Sequence, residues 1–211
     1  VVISILLLLG GGIITSALDR VQKDTMTTQM TSEAEEYRAN VLRKIEADLQ
    51  TLQTLASFFR FSNTISAIDT DAFANGLYES NNHNSFIQMG YFTEEGVGIR
   101  VTINQEIEKD VPVEELPEDL QTIIEKAWQG ESSVSRVYED ETIGDKVFAY
   151  AIPVYEGNEI TGVLAANDSI DAFEDILDDK TAMNGYGYVH MIGKEGKFLI
   201  RSKNKVVDKR V

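Results

Sequence analysis

An uncharged apolar run, Val1 to Leu18, passes without a turn residue into a stretch from Asp19 to Arg60 that holds neither proline nor glycine. Together these segments constrain the chain more than any other feature. An apolar run of about 18 residues is long enough to be a candidate membrane-spanning helix. The alternative is a secretory signal peptide, since Thr15-Ser16-Ala17 offers the small residues that a signal peptidase selects. The run exceeds the about 7–15 residues of a usual signal-peptide core, and no basic leader precedes it. The chain also begins without Met, so it is expected to be a piece of a longer protein. The spanning helix is therefore the favoured reading of residues 1–18.

Beyond Asp19, apolar residues fall at Val21, Met26, Met30, Ala34, Tyr37, Val41, Ile45, Leu49, Leu52, Leu55 and Phe59. Steps of three and four dominate, the signature of one stripe on a helix. About 40 residues at 1.5 Å each make a rod of roughly 60 Å, longer than the core of a domain this size requires. The stripe is expected to pack partly on the domain and partly on a second copy, as in a parallel coiled coil. The alternative is a lone amphipathic helix lying along one face of the domain.

Composition narrows the function classes. The chain has 211 residues and a formal net charge of -16. A surface this acidic repels nucleic acid, whose recognition rests on Lys and Arg at phosphates. Between Asn104 and Asp145 lie 13 acidic and three basic residues. This excess reads as a solvated rim; a divalent-cation site is the sharper alternative, but the spacing of calcium loops is missing. Without cysteine there are no disulfides, thiolate zinc sites or cysteine nucleophiles. His83 and His190 lack metal-ligand spacing. No nucleophile elbow, phosphate-cradling loop or dinucleotide fingerprint occurs. No catalytic residue, metal ligand or cofactor is assigned, and the chain is not expected to be an enzyme.

After Ser62-Asn63-Thr64 ends the rod, a short helix is expected over Asp71 to Tyr78 and a loop over Asn81 to Ser85. Phe86 to Phe92 and Val97 to Ile103 flank Thr93-Glu94-Glu95-Gly96 in a hairpin pattern. An acidic loop containing Pro112 and Pro117 leads to a helix from Glu118 to Trp128, closed by Gly130. Three strands follow, Ser133–Tyr138, Lys146–Tyr155 and Glu159–Asn167, with a turn at Glu156-Gly157-Asn158. A helix over Asp171 to Asp179 precedes a last hairpin, Tyr186–Met191 and Lys197–Ser202. Strands outnumber crossover helices, so the class is α+β with an antiparallel sheet.

This order of elements, with Phe148 to Tyr155, Gly162 to Asp171 and Tyr186 to Phe198, resembles the double Cache sensor, a PAS-like extracytoplasmic fold of bacterial membrane receptors. The likeness spans about residues 20 to 205, and the hairpin wording is most like sensors of Gram-positive diguanylate cyclases and sensor histidine kinases. It implies a transmembrane helix at 1–18, a stalk helix at 19–60, a membrane-distal PAS-like lobe at 61–170, and a connecting helix with the start of a proximal lobe at 171–211. It also implies a place in the cell membrane, with residues after about 19 extracytoplasmic, and an output domain outside this chain.

The family's pockets lie over the sheet of the distal lobe and take small molecules, carboxylates through Arg, Tyr or Trp and amines through Asp. Arg100, alone in an apolar strand, is the candidate for an anion, its planar fork being suited to a carboxylate; the alternative is the outer sheet face. Tyr91, Tyr138 and Tyr150 sit where a phenol could reach a ligand, or could serve as core. Asn167 matches the family's amine-binding Asp, with Asp168 beside it, and strand alternation lets only one face inward. Trp128 lacks the neighbouring Arg of the family's amino-acid signature and reads as core, which leaves the ligand class open. The expected partners are a small molecule, the membrane and a second copy. A dimerising spacer with no ligand is the rival reading.

Overall fold

The computed structural model describes residues 2–61, 75, 78, 79, 86–104, 106–178, 189–192 and 198–201. Side chains are described for these except at 2–17, 58–61, 178, 198, 199 and 201. The expected membrane span therefore lies largely outside the residues with described side chains. Among the described residues, no helix is long and apolar enough to cross a membrane. The expected helix at 71–78 and the loop at 81–85 also fall outside, apart from helical backbone at 75 and 78.

The rod is one helix, α1, over Val2–Phe61. Many Thr and Ser residues lie in it, and their hydroxyls bond back to carbonyls four residues earlier, as at Thr25, Thr28, Thr31, Thr51, Thr54 and Ser57. These bonds occupy the hydroxyls within the helix, at a slight cost to its stability. The stripe divides along its length. Tyr37, Val41, Leu52, Leu55 and Ala56 are buried, whereas Leu18, Val21, Met26 and Met30 remain exposed.

The buried part of α1 lies on one face of a seven-stranded antiparallel sheet. The strands are β1 (Phe86–Phe92), β2 (Val97–Thr102), β3 (Ile107–Pro112), β4 (Ser133–Val134), β5 (Tyr138–Asp140), β6 (Asp145–Glu156) and β7 (Glu159–Ser169). Their order is β3-β2-β1-β7-β6-β4, with β5 also paired to β6. The β1–β2 and β6–β7 turns place Gly96 at φ 76° and Gly157 at φ 65°, a conformation that L side chains resist. The opposite face carries α2, Glu118–Trp128, which Gly130 ends at φ 89°.

Alternation along the central strands builds a core on each face. Phe86, Met89, Tyr91, Tyr150, Ile152, Leu164 and Ala166 pack with Leu52 and Leu55 of α1. Val147, Ala149, Ala151, Val163 and Ala165 pack with Leu120, Ile123, Ile124 and Ala127 of α2. A third cluster joins Tyr37 and Val41 to Phe148, to Phe173 and Leu177 of α3 (Asp171–Asp178), and to Ile200. Ile200 belongs to a separate ribbon, β8 (His190–Ile192) paired with β9 (Phe198–Arg201).

The α+β class, the two hairpins around Gly96 and Gly157, and α2 follow the sequence closely. Two expectations require correction. The acidic segment read as a loop contains β3, paired to β2 through Arg100↔Glu108 and Val101↔Ile107. It is an exposed edge strand, held by ladder hydrogen bonds and an ion pair, so it carries no apolar alternation. The strand expected over Ser133–Tyr138 is two short pieces, β4 and β5, each paired to a different part of β6.

Candidate functional site

The six candidate residues divide between the two faces of the sheet. Arg100, Tyr138 and Asn167 face α2; Tyr91, Tyr150 and Asp168 face α1.

On the α2 side, Asn167 is the hub. Its Nδ2 donates to Asp140 Oδ2 at 3.2 Å and to Gln88 Oε1 at 3.2 Å, and the Tyr138 hydroxyl donates to its Oδ1 at 3.4 Å. Asp140 is fully buried and also accepts the backbone N–H groups of Thr142 and Ile143, at 2.9 and 3.2 Å. Arg100 is buried on β2, two strands from Asn167, and is clamped by Glu108 Oε2, at 2.8 Å from Nε and 2.5 Å from Nη2. Burial pushes the Tyr138 phenol well above its ordinary range; the charges of Asp140 and Asp119 add to the rise, while Asn167 and Arg100 oppose it. Tyr138 thus remains a neutral phenol, able to donate or accept. The floor beside these groups is small: Gly90 pairs with Arg100 on one side and Ala165 on the other, and Asn167 pairs with Ala149.

Gln88 and Asp140 were not legible as site residues. A bulge in β1 between Phe86 and Gln88 shifts the phase of the strand. Phe86 joins the α1-side core, whereas Gln88 reaches the α2 side. Simple alternation places the two on one face. Trp128 is half-buried against the α2-side core, as expected of a packing residue.

On the α1 side, Asp168 is fully buried and its Oδ2 lies 2.6 Å from Lys44 Nζ. Lys44 also holds Asp48 Oδ2 at 2.9 Å and sits 5.1 Å from the centre of the Phe173 ring. The Tyr150 hydroxyl donates to the same Asp48 oxygen at 2.8 Å. Burial drives the Tyr150 phenol far up, with the charge of Asp48, its hydrogen bond and the charge of Asp168 adding to the effect. Tyr91 lies over Gly162 and donates to the Thr161 carbonyl at 3.1 Å; burial raises its phenol, and the bond to Thr161 opposes the rise. These three residues are engaged with α1 or with the backbone. Asp168 and Tyr150 fasten the rod to the sheet.

A cleft of about 270 Å³ opens elsewhere, lined by Gln53, Ala56, Ser57, Gly130, Ser132, Ile152, Pro153 and Tyr155. None of the six candidates borders it, and it contains no buried charge. The buried polar groups lie instead on the α2 side. Among the described residues, no group of His, Cys, Asp and Glu has the arrangement of a metal site.

No protein-family model matches the chain, and no curated protein matches it in sequence. Solved structures do match. The sensory domain of the Campylobacter jejuni chemoreceptor Tlp3 (CcmL) superposes with a TM-score of 0.70 at 12% identity, over 90% of this chain and 76% of that one. The fold is that of chemoreceptor sensory domains. The ligand-binding domain of the Pseudomonas aeruginosa amino-acid chemoreceptor PctC, in complex with GABA, gives a TM-score of 0.59 at 18% identity, over 78% of this chain and 69% of that one. That of the Pseudomonas fluorescens chemoreceptor CtaA, in complex with L-alanine, gives 0.56 at 15% identity, over 84% and 72%. At these identities the likeness concerns the fold, which is of the Cache type expected from the sequence.

Proposed function

We propose that this chain is the extracytoplasmic small-molecule-sensing region of a bacterial transmembrane receptor. The receptor is of diguanylate cyclase, histidine kinase or chemoreceptor type. The apolar run at 1–18 anchors it, the distal lobe at 61–170 binds ligand, and 171–211 begins a proximal lobe. Ligand binding biases α1, paired with that of a second copy, between two states, and an output domain outside this chain reads the difference. Binding can do so only through differential affinity for the two states.

The observation that carries this reading is the convergence of Arg100, Gln88, Tyr138, Asn167 and Asp140 on the α2 face of the sheet. Buried polar groups are costly to keep in a core, and five on one face of a small-residue floor support the reading of this face as a binding site. The shared fold supports it, since structures of that fold include complexes with isoleucine, GABA and L-alanine.

The test is a thermal-shift screen of the purified chain against carboxylates, amines and sugars. A ligand at about 100 times its Kd stabilises by about 2.7 kcal/mol. The expected result is a shift with at least one class that disappears in Arg100→Ala. A shift that persists in Arg100→Ala removes the pocket from this face. The absence of a shift with every class favours the rival, a dimerising spacer.

A further inference from the structure

The hydrogen bonds on the α2 face have a fixed direction. The Asp140 carboxylate accepts from two backbone N–H groups, so its Oδ2 must also face a donor. This turns the Asn167 amide so that Nδ2 points to Asp140, and the same Nδ2 then meets Gln88. Gln88 must answer with its oxygen; a flipped amide would set donor against donor. Its Nε2 is thereby turned away from Asn167. Gln88 is 3% exposed, and its Nε2 has no hydrogen-bond partner among the described residues. A buried donor left without an acceptor is rare in folded proteins and costly.

One strand away, Arg100 spends Nε and Nη2 on Glu108. No bond from its Nη1 occurs among the described residues. The unmet demand on this face is therefore for acceptors. The acidic group that could hold an ammonium, Asp140, already takes two backbone N–H groups and the Asn167 amide.

Building on the ligand-pocket reading above, we infer that Gln88 is a ligand-contact residue and that the pocket selects carboxylates lacking an ammonium group over amino acids. The carboxylate oxygens accept from Gln88 Nε2 and from the open edge of Arg100. An α-ammonium would enter a buried face where Asp140 already takes three N–H donors and the open acceptor is the neutral Tyr138 hydroxyl, so no free carboxylate pairs with it. Burial of a charge without a partner is strongly unfavourable.

The experiment is calorimetric titration of the full chain in neutral detergent with two pairs of probes that differ only by the ammonium: propionate against L-alanine, and butyrate against γ-aminobutyrate. The unaminated member of a pair is expected to bind about tenfold tighter or more, given the cost of an unpaired buried charge. Gln88→Met keeps length and apolar volume and is expected to weaken that binding about tenfold, the loss of one hydrogen bond to a charged group. The variant loses the unmet Gln88 Nε2 donor and leaves one Asn167 Nδ2 proton unmet in its place, so it is expected to hold its Tm within about 2 °C of the parent; a structural role for Gln88 would move Tm rather than Kd. Equal or tighter binding of the amino acids overturns the inference. So does a Kd unchanged by Gln88→Met, or no heat from any of the four probes at about 50 mM, far above a millimolar Kd. The broader reading falls separately: it survives these outcomes if another ligand binds in an Arg100-dependent way.

Discussion

Replacing Lys44 with Met tests the fastening of rod to sheet. Lys44 stands between two carboxylates, 2.6 Å from Asp168 and 2.9 Å from Asp48. Asp168 is 0% exposed and the Lys44 side chain 16%, so the charges have little water to replace a lost partner. Met keeps the length of the side chain and its contact with Phe173 while removing the cation. Breaking a buried pair by removing one partner costs about 3–5 kcal/mol, because the other charge is left uncompensated. For a chain of this size, about 4 kcal/mol corresponds to a fall in Tm of about 12 °C. The assay is thermal unfolding followed by circular dichroism, with urea unfolding as a check on cooperativity. Arg136→Met supplies the comparison: Arg136 bonds Asp119 at 3.0 Å but its side chain is 81% exposed, and such pairs contribute about 0–1 kcal/mol. Adding Asp168→Asn to Lys44→Met removes the carboxylate that lost its cation and is expected to restore about half of the loss or more. Two results refute the reasoning: a fall of about 3 °C or less in Lys44→Met, or a double variant no more stable than the single one.

Two further predictions rest on the tyrosines. Tyr91, Tyr138 and Tyr150 all ionise at higher pH in the folded chain than the ordinary value of 10.0. Above pH 10 the unfolded chain therefore releases phenolic protons that the folded chain retains, and stability falls as pH rises, by up to about 1.4 kcal/mol per pH unit for each tyrosine. Urea midpoints across the alkaline range should turn down above about pH 10, less steeply in Tyr150→Phe; an equal slope in the variant would remove Tyr150 from the account. Gly162 has no room for a methyl group, since a Cβ there would lie 1.9 Å from the Tyr91 hydroxyl oxygen and 2.1 Å from the ring carbon bearing it. Gly162→Ala is expected to cost about 1–3 kcal/mol in urea unfolding, and Tyr91→Leu in the same chain to recover part of it.

The sequence made some of these features legible and concealed others for identifiable reasons. Helix α2 and the two main hairpins carry their own punctuation, in Pro117, Gly130, Gly96 and Gly157. The strand β3 carries none, because an edge strand of Glu108, Lys109 and Asp110 has no apolar face to display. In the site, Arg100 was legible as a lone charge in an apolar strand, but its face was not. The central strands β6 and β7 are buried on both sides, so apolar residues run continuously and alternation marks neither face. Tyr150 and Tyr138 looked alike in sequence and lie on opposite sides of the sheet. Gln88 was concealed by the bulge at Ile87, and Lys44 by its place in a helix where an exposed lysine is ordinary. Asn167 and Asp168 could be divided between the faces, but not assigned, until α1 and α2 were in place.

That division has a consequence for how the strand finds its place. The register of β7 is written twice, once in apolar residues and once in polar ones. A slip of one position in one direction would turn Asp168 toward Asp140, carboxylate against carboxylate; in the other it would offer Lys44 the Asn167 amide in place of its counter-ion. Apolar side chains such as Val163, Leu164, Ala165 and Ala166 would tolerate the slip with modest repacking, since both faces are oily. The adjacent Asn and Asp would not. They act as a proofreading pair, and a strand that could otherwise dock in either phase has only one in which both are satisfied.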